Sequence, residues 1–408
     1  RNPSRTGDAT NGVYLWGAQV EQRDSVTAYT PTTSQPITNY IPVLQTAASG
    51  AARFDHDPVT GESKGLLIEE QRTNLFSYSD DFANAAWIKT RASIDSNVVV
   101  APDGTLTGDK LVENTDNNSH YIYDSITVTA ARQTLSVFAK AGERNSIRVY
   151  CGTGANSGAA YFNLVTGTVG TVDSYGSGAT TASMTDVGND WYKCSVSAPQ
   201  SSGTSNFLFY PADGNTSSYT GDGYSGIYIW GAQLEAGAFP TSYIPTSGSQ
   251  VTRSADAASM TGTNFSDWWR QDEGTVYTDT TNPYIGENYD RTWSASLDGG
   301  STNFIQQYYN LSDSLQTEFR TAGTTQANVG TTASADGTKG AVAYKVNDIA
   351  ASINGSDINA DDVAVIGYMN KFNLCQRDGS TTGVLYHKKF AYYPARLTNA
   401  ELQALTED

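Results

Sequence analysis

Thr134-Leu135-Ser136-Val137-Phe138-Ala139-Lys140 sets apolar against polar side chains along one extended run, as do Ser146-Ile147-Arg148-Val149-Tyr150 and Trp191-Tyr192-Lys193-Cys194-Ser195-Val196. Alternation with a period of two suits strands that turn one face to a core and the other away from it. Turn formers separate the runs, at Ala141-Gly142, from Asp186 to Asn189 and at Ala212-Asp213-Gly214. About eight such strands between residues 70 and 247 predict a β-sandwich of jelly-roll type, a fold that leaves few open edges.

Beyond Met260 the texture changes but the period does not. Strands are predicted over 275–278, 292–297, 303–309, 315–320, 340–346, 350–353 and 385–393. Asn264 to Glu273 contains Ser266, Trp268 and Trp269 and stops at Gly274, the pattern of a helical turn with a glycine terminator. Thr398 and Glu401 form a capping box and Leu397 can staple to Leu402, so a short C-terminal helix should begin there. The expected class is all-β, with tandem β-sandwich domains and helix confined mainly to 264–273 and 398–406. A chain of 408 residues suits more than one domain, and 38 Gly, 25 Tyr and only 16% charged residues favour short strands over long helices.

One block occurs twice. Thr6-Gly7-Asp8 followed by Val13-Tyr14-Leu15-Trp16-Gly17-Ala18-Gln19-Val20-Glu21 returns as Thr220-Gly221-Asp222 followed by Ile227-Tyr228-Ile229-Trp230-Gly231-Ala232-Gln233-Leu234-Glu235. Within the longer block every mismatch is an aliphatic exchange, so the copies are expected to be the same strand in two related modules, with Gly17 and Gly231 at the same close approach or bulge. Tyr40-Ile41-Pro42 repeats in turn as Tyr243-Ile244-Pro245. In the second copy the strand follows a long β-rich stretch, whereas almost nothing precedes it in the first. Residues 1–64 are therefore expected to be the last strand and connector of an incomplete preceding module, the alternative being a strand that docks on a neighbouring chain or domain, with sandwiches over 65–260 and 261–408.

A net charge of −17 and a sequence pI near 4.5, without basic runs, remove the attraction that drives nucleic-acid binding and argue against anionic membranes. No stretch reaches the roughly 18 apolar residues of a membrane span, and no secretory leader is visible. Cys151, Cys194 and Cys375 lack any C-x-x-C spacing and read as buried thiols; a Cys151–Cys194 bridge would require two neighbouring strands in register.

Glycoside hydrolysis usually needs two carboxylates about 5–9.5 Å apart. Asp272-Glu273 and Asp361-Asp362 are adjacent pairs and read instead as solvated turns. His56, His120 and His387 stand at no metal-ligand spacing, no Ser or Cys lies in a nucleophile elbow, and Gly152, Gly154 and Gly158 do not complete a dinucleotide fingerprint. No catalytic residue, cofactor or metal is expected, and the chain is expected not to be an enzyme.

The positive signal is aromatic. Sugar rings stack their C–H faces on Tyr and Trp while their hydroxyls bond to Asp, Asn, Gln and Arg. Candidates in the last domain are Tyr284, Tyr289, Tyr308 and Tyr309 with Asn303 and Arg320; in the middle domain they are Tyr121, Tyr123 and Tyr210 with Asp213. Trp16, Trp191 and Trp230 are assigned to cores.

The string from Arg53-Phe54-Asp55 through Asp57-Pro58-Val59-Thr60-Gly61 to Gly65-Leu66-Leu67-Ile68-Glu69-Glu70-Gln71-Arg72-Thr73-Asn74-Leu75 resembles a connector of phage fibre and spike proteins. So do Phe82 to Trp87, Gly188 to Cys194, and Trp230 to Glu235 with Pro240 to Thr246, over modules similar to galactose-binding-like carbohydrate modules. Val342 to Val346, Ile353-Asn354-Gly355 and Phe390 to Thr398 resemble a concanavalin A-like or laminin-G-like domain. The resemblance implies an adhesion protein on the virion surface, in a tail fibre or head spike, that binds host surface polysaccharide beside other virion proteins. It also implies a homo-oligomer, a trimer first. The alternative is a capsule or exopolysaccharide depolymerase, a lyase or hydrolase with its site between subunits.

Overall fold

Leu135, Val137 and Ala139 are fully buried, as are Ile147 and Val149, so the alternating runs turn their apolar sides into a single core. In the computed structural model, which describes residues 42–48, 50–284, 290–310, 314–332, 337–362, 364–376 and 383–407, these runs form all-antiparallel sheets. The first sandwich faces two six-stranded sheets. One has the spatial order Thr168–Tyr175, Ser157–Asn163, Ser146–Cys151, Gly203–Ala212, Tyr121–Val128 and Ile88–Thr90. The other runs Thr181–Gly188, Trp191–Gln200, Ala131–Ala141, Gly226–Ala236, Gly108–Glu113 and Ala92–Val99. Phe76, Phe82, Trp87, Phe207 and Phe209 fill one part of the space between them, with Trp87 4.8 Å from Phe76 and 5.8 Å from Phe209. Each such side chain contributes on the order of 1.5–3 kcal/mol of burial.

The second sandwich pairs a seven-stranded sheet with a six-stranded one. The former has the order Arg53–His56, Ser63–Glu69, Val384–Tyr393, Glu273–Thr281, Thr338–Lys345, Ile349–Ile353 and Asn359–Asp361. The latter has Ala258–Thr261, Lys371–Leu374, Arg291–Ser296, Phe304–Tyr309, Ser314–Thr321 and Thr324–Thr332. The hairpin 53–69 thus belongs to the sheet of the second sandwich although it precedes the first in sequence, and the expected boundary at 64/65 falls inside its second strand.

Charges of the connector hold the two sandwiches together. Glu69 accepts from Arg53 at 2.6 Å, Arg253 at 2.7 Å and the Ser242 amide at 2.8 Å, while Arg53 also bonds Asp256. Asn74, fully buried, donates to the carbonyls of Ala232 and Ile244 and accepts from the amides of Phe76 and Leu234. Gln233 and Glu235 complete this joint: Gln233 accepts from the Ile244 amide at 2.7 Å and donates to Glu235 at 2.8 Å, and Glu235 accepts twice from Thr241. Gly231 lies at a register shift with φ 61°, where a Cβ would meet the Phe138 ring at 2.9 Å. The Trp16 copy lies outside the described residues.

The helical turn expected within 264–273 forms at its start, over Thr263–Ser266. Trp269 leaves that path to stack on Phe265, Tyr344 and Tyr392, and Glu273 already begins a strand. The C-terminal helix is Asn399–Thr406, with both halves of the Thr398–Glu401 capping box formed and Leu402 packed near Leu397. All three cysteines are free and buried, with burial pushing Cys151 up to about 12.

Candidate functional site

In the sheet that begins at Thr168–Tyr175, alternation sends Ile122, Ile147, Val149, Phe207 and Phe209 into the core and sends the residues between them outward. Strand pairing then sets those outward residues in rows. One row runs Tyr161, Arg148, Tyr210, and the Tyr121 ring continues it at 4.9 Å from Tyr210. The next runs Asp173, Ala159, Tyr150, Leu208, Tyr123 and Ile88, one residue from each of six strands. At about 4.8 Å per strand this outer face spans roughly 24 Å.

Arg148 is its centre. The guanidinium lies 5.1, 5.2 and 5.6 Å from the ring centroids of Tyr150, Tyr161 and Tyr210, within the range of cation–π attraction. It also reaches Asp173 at 3.4 Å, the Tyr175 hydroxyl at 3.2 Å and Ser217 at 3.5 Å. Ser217 in turn bonds the Tyr161 hydroxyl at 3.2 Å. At the other end Tyr123 lies 6.1 Å from Tyr121, and the Arg91 guanidinium 5.8 Å from the Tyr121 ring. Exposure grades across the face from Tyr210 at 7% to Tyr175 at 39%, so some rings are foundations and others are open. Burial raises the phenol pKa of both still further above neutrality.

The expected trio Tyr121, Tyr123 and Tyr210 therefore meets on one face, while Asp213 is exposed in the turn just after the Tyr210 strand. Tyr150, Tyr161, Tyr175, Arg148 and Asp173 were missed. For Arg148 and Tyr150 the signal is the Ile147-Arg148-Val149-Tyr150 alternation, which sets both on the side of the strand away from the core; Tyr161, Asp173 and Tyr175 lie on the two neighbouring strands.

The candidates of the second sandwich do not converge to the same degree. Tyr308 and Arg320 share the outer face of its six-stranded sheet, where Arg320 lies 5.0 Å from the Phe304 ring and 2.8 Å from Glu318. Asn303 holds a turn, accepting from the Ala322 amide at 2.8 Å. Tyr309 points the opposite way, fully buried and 3.2 Å from Thr280. Tyr284 stacks on Phe239 at 4.7 Å and 11°, in the joint between the sandwiches. Tyr289 lies outside the described residues.

Elsewhere, Asp80, Asp81 and Asp109 line a cleft with Ser96, Asn97 and Thr107. Burial raises Asp80 and Asp109, and Asp109 is occupied by the amides of Asn97 and Phe82. Among the described residues no group of three His, Cys, Asp or Glu is placed to hold a metal ion. His387 is buried with its Nε2 3.2 Å from the Cys375 sulfur, and burial lowers its pKa to about 4.

No family model matches this chain, and no curated protein matches it. Solved structures do. The Ruminococcus gnavus IT-sialidase CBM40 is similar over 34% of this chain and 84% of its own, at 17% identity and a TM-score of 0.29. Mouse laminin alpha1 chain, domains LG4-5, is similar over 70% and 91%, at 7% identity and 0.26. A Trypanosoma rangeli sialidase in complex with the inhibitor DANA is similar over 73% and 60%, at 10% identity and 0.30. At these scores the likenesses carry no argument about ligand or activity. One expectation is nonetheless corrected: a sialidase is an enzyme, and with one among the similar structures the statement that this chain is not an enzyme does not stand.

Proposed function

We propose that this chain is a glycan-binding part of a phage virion fibre or spike and that the tyrosine face of its first sandwich takes host surface polysaccharide. One observation carries the reading: four adjacent strands of the six-stranded sheet set Tyr121, Tyr123, Tyr150, Tyr161 and Tyr210 on one outer face around Arg148. Stacking surface beside hydroxyl donors is what a sugar requires. The width of the face suits an extended oligosaccharide more than a single sugar. The virion setting is supported by the connector and the Trp230 to Thr246 motifs of the sequence. A homotrimer on the virion surface would set several weak sites side by side, gaining strength by avidity.

The test is direct. The folded protein, displayed multivalently, is incubated with a panel of bacterial capsule and lipopolysaccharide glycans, bound material is measured, and new reducing ends and unsaturated uronate absorbance are followed in the same samples. Retention of at least one glycan, lost on Tyr121→Ala and Tyr123→Ala, supports the proposal. Retention of none, or retention that those substitutions leave intact, defeats it. Light scattering on the 408-residue chain tests the assembly.

A further inference from the structure

We infer that the glycan taken by the tyrosine face is uncharged, an inference that rests on reading that face as a glycan site. A carboxylate or sulfate on a sugar is held best by a guanidinium that offers two adjacent N–H groups as a fork. Arg148 does not offer one. Its Nη2 is shared between Asp173 and the Tyr175 hydroxyl, its Nη1 points to Ser217, and its Nε is sealed from solvent. The Tyr150, Tyr161 and Tyr210 rings surround the remainder, leaving the side chain 14% exposed.

Asp173 also supplies the counter-charge, so the pair at the centre of the face is neutral before any ligand arrives. Arg91 stands apart from this centre, at the Tyr121 margin of the face, where its Nε bonds the Ser119 carbonyl at 2.7 Å. Over longer distances the net charge of −17 repels a polyanion. Around Arg148, what remains for a ligand is ring surface and phenol hydroxyls, which recognise the C–H faces and hydroxyls of a neutral hexopyranose chain. Arg148 is accordingly a positioning residue that fixes the rings.

The experiment compares galactose-, glucose- and mannose-terminated oligosaccharides with sialylated, glucuronate-containing and sulfated ones on one array, at low and high salt. The expected result is retention of neutral glycans, with acidic counterparts no tighter and affinity nearly independent of salt. Asp173→Asn, by freeing Arg148, should shift the preference between glucuronate-containing and neutral glycans about tenfold toward the former, the effect of one added charge-assisted hydrogen bond. Preference of the unaltered protein for acidic glycans, with a steep loss at high salt, overturns the inference and leaves the glycan site standing. If the folded protein retains no glycan of either class, the reading of the face falls and the inference with it. Should Asp173→Asn fail to fold, the salt dependence of the unaltered protein decides alone.

Discussion

Glu69 accepts a 2.7 Å hydrogen bond from Arg253, 184 residues further along the chain, on the same oxygen that accepts from Arg53 at 2.6 Å. Burial alone would raise this carboxyl, but the two guanidinium groups outweigh it and hold the pKa below the ordinary carboxylate range. Glu69→Gln leaves two arginines facing a neutral group in a buried setting, and should cost about 3–5 kcal/mol in denaturant unfolding. The stabilisation from Glu69 is present above the ordinary glutamate pKa and lost as pH falls through the lower folded value. A loss under about 1 kcal/mol would show that the pair contributes only as surface pairs do.

His387 titrates in a different window. Its folded pKa of about 4 lies below the 6.5 of a free imidazole, so protonation favours the unfolded chain. The stability of the neutral form is complete above pH 6.5 and declines as pH falls toward 4, by up to about 3 kcal/mol. The slope of unfolding free energy between those pH values should flatten in His387→Asn, and an unchanged slope would exclude His387 as its source.

Gly231 combines a left-handed backbone with a ring 2.9 Å from the position of a Cβ. Gly231→Ala is expected to destabilise the first sandwich by about 1–3 kcal/mol, the sum of an unfavourable φ and a displaced Phe138. Gly214→Ala, also at positive φ but with open space around it, isolates the backbone part.

Thr398→Ala removes the side chain that accepts from the Glu401 amide and should cost about 1 kcal/mol. Thr398→Ser, which keeps the hydroxyl, should restore most of it by the same thermal unfolding measurement.

Between the two sandwiches, ligand loss distinguishes the faces. Tyr121→Ala or Tyr123→Ala should each weaken glycan binding by about tenfold, whereas Tyr308→Ala should not alter it. The opposite pattern by titration calorimetry would move the site to the second sandwich.

Much of this architecture was legible because burial is periodic. The seven strands expected after Met260 all form, since Trp293, Ile305, Phe319 and Val342 mark the inward side of theirs with large apolar groups. Thr324–Thr332 gave no such mark: its inward residues are Ala327 and Val329, set among threonines and a glycine. The candidate face was half legible. Strand alternation shows that Arg148 and Tyr150 point away from Ile147 and Val149, but the neighbours of each strand are fixed by pairings of high sequence separation. Nothing local to Tyr210 says that Arg148 lies opposite it. Tyr308 and Tyr309 make the complementary point, because successive residues of one strand take opposite faces and the pair itself does not say which turns inward.

The placement of hairpin 53–69 in the seven-stranded sheet has a consequence for synthesis. Its partner strand Val384–Tyr393 leaves the ribosome long after it, and the Gly383 amide closes onto Glu70 across 313 residues of chain. Until then Ser63–Glu69 carries an unpaired edge with Leu67 and Ile68 uncovered, the kind of strand on which nascent chains aggregate. The first sandwich lies wholly within that interval, so it is able to fold while the second still waits for its final strand. Closure of so distant a pair makes the second sandwich the slow step, and a refolding experiment should show a slow phase, of high contact order, that reports from Trp269 and Trp293 and not from Trp87.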